Sequence, residues 1–107
     1  MDGIREFVNT TCYDLNVIVW VRAGEKLGCI FRVEEFCLKR FECLKVVFGN
    51  EYNSCIDGIK VCYCEGGQLG ITELVVKRFG CTLDRLLNRH FRIIFISAGP
   101  TIAISAQ

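Results

Sequence analysis

Residues 33–50, VEEFCLKRFECLKVVFGN, decide which class of fold the sequence predicts. Apolar side chains recur in this stretch at intervals of three and four residues, which is the spacing of one buried stripe on an α-helix. The stripe consists of Val33, Phe36, Cys37, Phe41, Leu44, Val47 and Phe48. Glutamates stand near the start, where the helix dipole favours them, and Gly49-Asn50 can end the segment. This stretch therefore predicts a first helix.

The segments around this predicted helix have the composition of β-strands. Leu15–Arg22 is rich in β-branched and aromatic residues, and a turn at residues 23–26 connects it to a second strand at Leu27–Val33. Further strands are predicted at residues 59–64, 69–76, 92–97 and 101–105, with turns at 65–68 and 98–100 and a short helix from Thr82 to about Phe91. The order ββα-ββα-ββ predicts one α+β domain over residues 1–107, with a mainly antiparallel sheet, two helices and a flexible segment at residues 1–13.

The composition is that of a globular protein. Of the 107 residues, 51% are hydrophobic and 23% are charged, which excludes a disordered or low-complexity chain. The formal net charge of +1 points to no class of partner. The charge is unevenly placed, however, because the C-terminal third, residues 77–107, is basic while the rest of the chain is acidic. Any electrostatic binding face is therefore expected in that third.

Five basic side chains in the C-terminal third form the strongest candidate binding site. At 100° per residue, Arg85, Arg89 and Arg92 fall within about 60° of one another on the second predicted helix, opposite its leucines. Lys77 and Arg78 lie just upstream. Guanidinium groups suit phosphates and carboxylates, so the row predicts binding of RNA or of an acidic protein partner. A solvated helix face is the alternative interpretation.

The eight cysteines admit three interpretations. Cys29 and Cys37 fall among apolar positions, which favours free thiols in the core. A zinc site would need ligands beyond the Cys62-x-Cys64 pair, and Cys55, Cys81 and His90 are the candidates. Disulfides would imply a secreted effector or ligand, for which Asn9-Thr10-Thr11 offers a formal glycosylation sequon. Because no export signal is visible near Met1, the expectation is reduced thiols in the cytoplasm.

Other patterns bear on catalysis, on membrane insertion and on self-association. No nucleophile elbow or carboxylate pair is present, which predicts a non-enzymatic protein without a cofactor, zinc excepted. The single histidine, His90, is expected on the inward side of the second helix. No apolar run has the length of a membrane span. The uncharged strands at residues 93–97 and 101–105 predict a homodimer formed by edge pairing.

The chain resembles, in type, the small cysteine-rich accessory proteins of plant RNA viruses. In size and cysteine content it is similar to the silencing suppressors encoded by the first reading frame of sobemoviruses. The resemblance rests on the eight cysteines, the Cys62-Tyr63-Cys64 element and the basic run Lys77–Arg92, and not on an aligned stretch. It implies suppression of host RNA silencing. Some proteins of this kind bind zinc through clearer cysteine pairs, which this sequence lacks.

Overall fold

The computed structural model describes residues 3–65, 68–99 and 101–107, and at residues 64, 65, 68 and 69 it describes the backbone only. In this part of the chain there are eight strands and one short helix. The strands are β1 (Ile4–Asn9), β2 (Leu15–Ala23), β3 (Lys26–Leu38), β4 (Cys43–Val47), β5 (Ile56–Glu65), β6 (Gln68–Val75), β7 (Arg92–Ala98) and β8 (Thr101–Ala106). Helix α1 (Thr82–Asn88) lies between β6 and β7. The fold is therefore mostly β.

The predicted α+β class with two helices is wrong, because the segment expected to form the first helix forms strands. Residues 33–38 are the second half of β3, and Cys43–Val47 is β4. The same residues also alternate with period two, so that Phe36 and Leu38 turn inward while Cys37 is exposed. Phe41 reverses the chain between the strands with a φ of 59°. Nine residue pairs with β2 hold β3 in place, and an isolated helix has no equivalent support.

The strands form two four-stranded sheets. Sheet A has the order β4-β1-β7-β8, and sheet B has the order β3-β2-β5-β6. Strands β1 and β7 run parallel, and the other described pairs are antiparallel. The strands predicted from Leu15 to Val33 and at 59–64, 69–76, 92–97 and 101–105 are confirmed within a few residues. Gly66 and Gly67 of one predicted turn, and Pro100 of the other, lie outside the described residues.

Strand β1 lies in the middle of sheet A, although residues 1–13 were expected to be flexible. It pairs with β4 on one side and with β7 on the other. Its inward positions are Arg5, Phe7 and Asn9, all of them buried. Because two of these three positions are polar, the segment lacks the alternation of polar and apolar residues by which a half-buried strand is recognised. The prediction failed here for that reason.

Both sheets and the helix contribute to one hydrophobic core. Phe7 from sheet A lies at its centre, with its ring centroid 4.9 Å from that of Phe36 in sheet B and 6.2 Å from that of Phe95 in β7. The fully buried apolar residues are Phe7, Leu15, Val17, Val19, Val21, Leu38, Phe48, Ile56, Ile59, Val61, Leu87, Ile93 and Phe95. Leu87 is the residue by which α1 enters this core. The sheets thus pack face to face with α1 docked at their margin.

Candidate basic groove

Helix α1 carries Arg85 in its last turn and ends at its C-cap Arg89, and buried side chains determine its position. It has only seven residues, and so short a helix is not stable alone. The Asn88 side chain accepts a hydrogen bond from the Ile56 backbone nitrogen at 2.6 Å. It also donates to the Ile56 carbonyl at 3.0 Å and to Asp84 Oδ1 at 2.9 Å. Asn88 therefore fastens the helix to the start of β5.

Arg22 forms the second anchor of the helix. Its Nε lies 3.0 Å from Asp57 Oδ1, and its Nη2 lies 3.1 Å from Asp84 Oδ1 on α1. The Phe79 ring lies 5.3 Å from the guanidinium carbon. Burial alone would lower the pKa of Arg22, but the hydrogen bonds that it donates to Asp57 and Asp84, together with their negative charge, outweigh burial and the pKa is raised. This cation is therefore neutralised inside the protein.

Arg5 forms the third anchor and has no carboxylate in contact within the described residues. Its Nε donates to the Leu87 carbonyl at 3.2 Å, near the C-terminal end of α1, and its Nη1 donates to the Ile4 carbonyl at 2.8 Å. Its guanidinium carbon lies 5.4 Å from the Phe48 ring centroid. Burial lowers the pKa of Arg5. The position suits a cation because carbonyl groups at a helix C-terminus carry partial negative charge.

A groove of about 500 Å³ lies between α1 and the end of β8. Its described lining consists of Thr82, Arg85, Leu86, Arg89, His90, Ser105 and Ala106. We call it the basic groove, because it presents two guanidinium groups and an imidazole and none of these lining residues carries a carboxylate. Arg85 and Arg89 are exposed, and their side chains have no ion pair or hydrogen bond within residues 3–65, 68–99 and 101–107.

The structure distributes the five predicted basic residues over three places. Arg85 lies in the last turn of α1 and Arg89 is its C-cap, so these two remain neighbours. Arg92 does not lie on the helix as expected, because it begins β7, where its Nε lies 2.6 Å from Glu6 Oε1. Lys77 and Arg78 are exposed and line a separate depression before the helix. The helix ends at Asn88, earlier than predicted, and this separates Arg92 from the row.

The prediction that His90 faces inward from the second helix is also wrong. The residue lies beyond the helix, is exposed, and lines the basic groove instead of facing inward. The opposite wall of the groove, Ser105 and Ala106, was not anticipated. No local pattern could have indicated it, because β8 is placed beside α1 by its pairing with β7 and not by its own sequence.

Two of the cysteines do not lie in the core as expected. Cys29 and Cys37 are exposed rather than part of the core. All seven described cysteines are free thiols, and the side chain of Cys64 lies outside the described residues. Of the other proposed zinc ligands, Cys55, Cys62 and Cys81 are half-buried. In the part of the chain that the structure describes, no three His, Cys, Asp or Glu side chains group as a metal site would require.

The sequon asparagine, Asn9, is a structural residue. Its side-chain amide donates to the carbonyls of Tyr13, Leu38 and Lys39 at 2.8, 3.1 and 3.0 Å, and its Oδ1 accepts from the Thr11 backbone and hydroxyl. Only 1% of the residue is exposed. In the folded chain the amide nitrogen is therefore occupied and inaccessible to modification.

No helix in the described residues has the length and apolar character that crossing a membrane requires. Comparison of the chain with protein-family models, with curated proteins and with solved structures finds no match.

Proposed function

We propose that this chain is a non-enzymatic RNA-binding protein that contacts the phosphate backbone through its basic groove. The observation that carries the proposal is the pair of exposed guanidinium groups, Arg85 and Arg89, in a groove whose described lining has no carboxylate. A planar guanidinium can donate two parallel hydrogen bonds to one phosphate, which makes arginine well suited to this ligand.

The spacing of the two arginines supports an anionic ligand. They are four residues apart, and like charges at this spacing on a helix repel each other by about 0.2–0.5 kcal/mol. Their place at the C-terminal end of the helix offsets part of this cost through the helix dipole. A phosphate bound between them would remove the repulsion.

The placement of the only acidic residue in the C-terminal third also supports this function. That residue is Asp84, and its carboxylate is engaged by Arg22, Asn88 and the Gly80 backbone nitrogen. The basic residues of this third are therefore not opposed by an unpaired acid of the same segment. Lys77 and Arg78, exposed before the helix, add to the positive potential that an approaching nucleic acid would meet.

Suppression of host RNA silencing is the biological role that fits this proposal and the resemblance described above. A protein that covers RNA phosphates without regard to sequence would compete with host factors for that RNA. The seven free thiols support a reducing compartment such as the cytoplasm, and they weigh against the alternative of a disulfide-stabilised secreted effector.

The proposal is tested by filter binding of a labelled single-stranded RNA over a series of salt concentrations. The variant Arg85→Ala/Arg89→Ala should bind more weakly and should reduce the slope of log K against log salt by about 1.4, since each phosphate contact on a single strand contributes about 0.7. The control Lys39→Ala/Arg40→Ala removes two exposed charges at the β3–β4 turn and should keep the parent slope.

Two outcomes would contradict RNA binding through this groove. One is equal loss of affinity in both double variants, which would mean that net charge and not the groove governs binding. The other is the absence of a salt slope for RNA together with groove-dependent binding of polyglutamate, which would identify an acidic protein as the ligand. Circular dichroism of each variant shows whether the fold is kept.

A further inference from the structure

We infer that the chain forms a two-fold homodimer in which the edge strand β3 pairs antiparallel with β3 of a second copy. Strand β3 ends sheet B, and on its outer side no strand of the described residues is paired with it. It is thirteen residues long, whereas its neighbour β2 has nine. A long edge strand exposes a row of unpaired backbone groups, which favours pairing with another chain.

The middle of β3 is exposed and apolar. All residues from 28 to 33 are exposed, although side chains on a strand alternate between two faces. Ile30, Phe31 and Val33 keep 43%, 44% and 54% of their surface exposed. Proteins usually protect such edges with charged residues, prolines or very short strands. In β3, Arg32 is the only charged residue from position 28 to 33, and no proline is present.

The outer face of sheet B continues this apolar surface. Val33 pairs with Trp20, Trp20 pairs with Gly58, and Gly58 pairs with Val75, so these residues form one row across all four strands. Val75 keeps 45% of its surface exposed. A second copy added at the β3 edge would continue the row directly from Val33.

Charge complementarity favours a second copy as the occupant, with the two-fold axis at Val33. In an antiparallel pair related by a two-fold axis, the residue at the axis faces itself, and residues at equal distances on either side face each other. An axis at Arg32, Glu34 or Glu35 would place like charges opposite each other. An axis at Val33 places Arg32 opposite Glu34 of the second copy, twice. These two side chains already approach to 3.0 Å within one chain, and Arg32 remains 51% exposed.

The sheet edge at which the sequence predicts dimerisation already makes a hydrogen bond within the chain. Strand β8 ends sheet A, but its Ile102 carbonyl accepts a hydrogen bond from the Thr72 hydroxyl of β6 at 3.1 Å. Dimerisation through residues 93–97 and 101–105 stays a prediction. The experiment below separates the two interfaces.

A cross-linking experiment tests the register. In a Cys29→Ser/Cys37→Ser background, Val33→Cys places two thiols opposite each other across the axis, with Cα atoms about 4.5–5.5 Å apart, which a disulfide accepts. The matched control is Glu35→Cys, whose two copies would lie about 13 Å apart along the strands. Mild oxidation should give a covalent dimer with Val33→Cys well above the level of the control, and the linkage is mapped by mass spectrometry.

A charge exchange tests the interface without cysteine chemistry. Arg32→Glu and Glu34→Arg should each weaken the dimer, because each places like charges opposite each other, and the double exchange Arg32→Glu/Glu34→Arg should restore it. Association is measured by analytical ultracentrifugation over a concentration series, and thermal unfolding shows that each variant is folded. A monomeric parent protein at every concentration would overturn the inference. So would a dimer that is unaffected by either single exchange, or one cross-linked equally by both cysteine variants.

Discussion

Arg5 and Arg22 lie in the interior, although arginine is normally a surface residue. A buried cation needs partners because it has lost its water. Arg22 has two carboxylates, whereas Arg5 has backbone carbonyls and the Asn88 side chain. In the described residues no buried side-chain nitrogen or oxygen lacks a hydrogen-bond partner. Both arginines therefore act as structural residues and not as part of the exposed basic surface.

Replacing Arg22 with methionine should strongly destabilise the fold. Met fills similar space but leaves the buried Asp57 carboxylate without its cation, and removing one partner of a buried ion pair typically costs about 3–5 kcal/mol. Urea denaturation followed by circular dichroism measures the loss. The matched control is Arg40→Met, which breaks the exposed pair with Asp14 and should leave the denaturation midpoint close to that of the parent. Equal midpoints for the two variants would refute the structural role of Arg22.

None of these residue roles could be read from the sequence. Nothing in the pattern distinguishes Arg22 from Arg40, because their partners lie elsewhere in the chain. Asp57 is 35 residues from Arg22, and Asp84 is 62 residues away. Arg85 and Arg89 could be identified, since residues four apart on a helix are neighbours by local geometry alone.

Among the elements, helix α1 depends most on contacts outside itself. Cys81 caps its N-terminus through its sulfur, which accepts from the Asp84 backbone nitrogen at 3.5 Å. Sulfur is a weaker acceptor than the side-chain oxygens of Ser, Thr, Asp or Asn that are usual at this position. The side chains of Arg5, Arg22 and Asn88 supply the remaining support. The position of the groove-lining residues on α1 therefore depends on these three side chains.

The stability of the protein should depend on pH through Asp84. Burial would raise the pKa of this carboxyl, but hydrogen bonds from Gly80, Asn88 and Arg22 lower it below its usual value. The unfolded chain then takes up the proton more readily than the folded chain. The stabilisation is complete above about pH 4, the ordinary carboxyl pKa, and is lost as the pH falls through the lower pKa of the folded state.

Urea denaturation midpoints measured from pH 6 downward test this dependence. The variant Asp84→Asn should lose less stability on acidification than the parent, because it has no proton to take up at this site. Glu51→Gln, which removes an exposed carboxylate, should follow the parent curve. If Asp84→Asn also follows the parent curve, the lowered pKa of Asp84 does not contribute to folding.

The segment 33–48 shows why one predicted element failed while others succeeded. Its apolar residues fit a helical stripe, and some of them, such as Phe36 and Leu44, also fit the inward positions of two strands joined at Phe41. Local periodicity cannot choose between these two structures. Pairing with β2 and β1 makes the choice, and β1 is about forty residues away in the chain. Leu15–Arg22 carried no such ambiguity, because its β-branched residues favour only a strand.

At the scale of the whole molecule, a single core unites the two sheets. Phe7 contacts Phe36 across the interface between the sheets and Phe95 within its own sheet. Its removal should therefore weaken both sheets together. In a domain of this size, a few kcal/mol is a large part of the total free energy of unfolding, which is commonly about 5–15 kcal/mol.

Phe7→Ala should lower the free energy of unfolding by about 3–5 kcal/mol, the usual cost of deleting a buried phenylalanine ring. The measurement is chemical denaturation with circular dichroism and tryptophan fluorescence, and the two probes should report one coincident transition. Tyr52→Ala, at a residue that is 77% exposed, should change the value by no more than about 0.5 kcal/mol. Two separate transitions in Phe7→Ala, one for each sheet, would argue against a shared core.

The sequence by itself determined most of the strands, the short helix near residue 82 and the basic character of the last third. Each of these follows from composition or from spacing within a few residues, which act locally along the chain. Tertiary structure alone decided that residues 33–48 are strands, that β1 is central and that Arg92 pairs with Glu6, 86 residues away. It also decided that Cys29 and Cys37 face outward. These outcomes depend on which distant segments pair, and the free energy of such pairing is not contained in any local stretch of sequence.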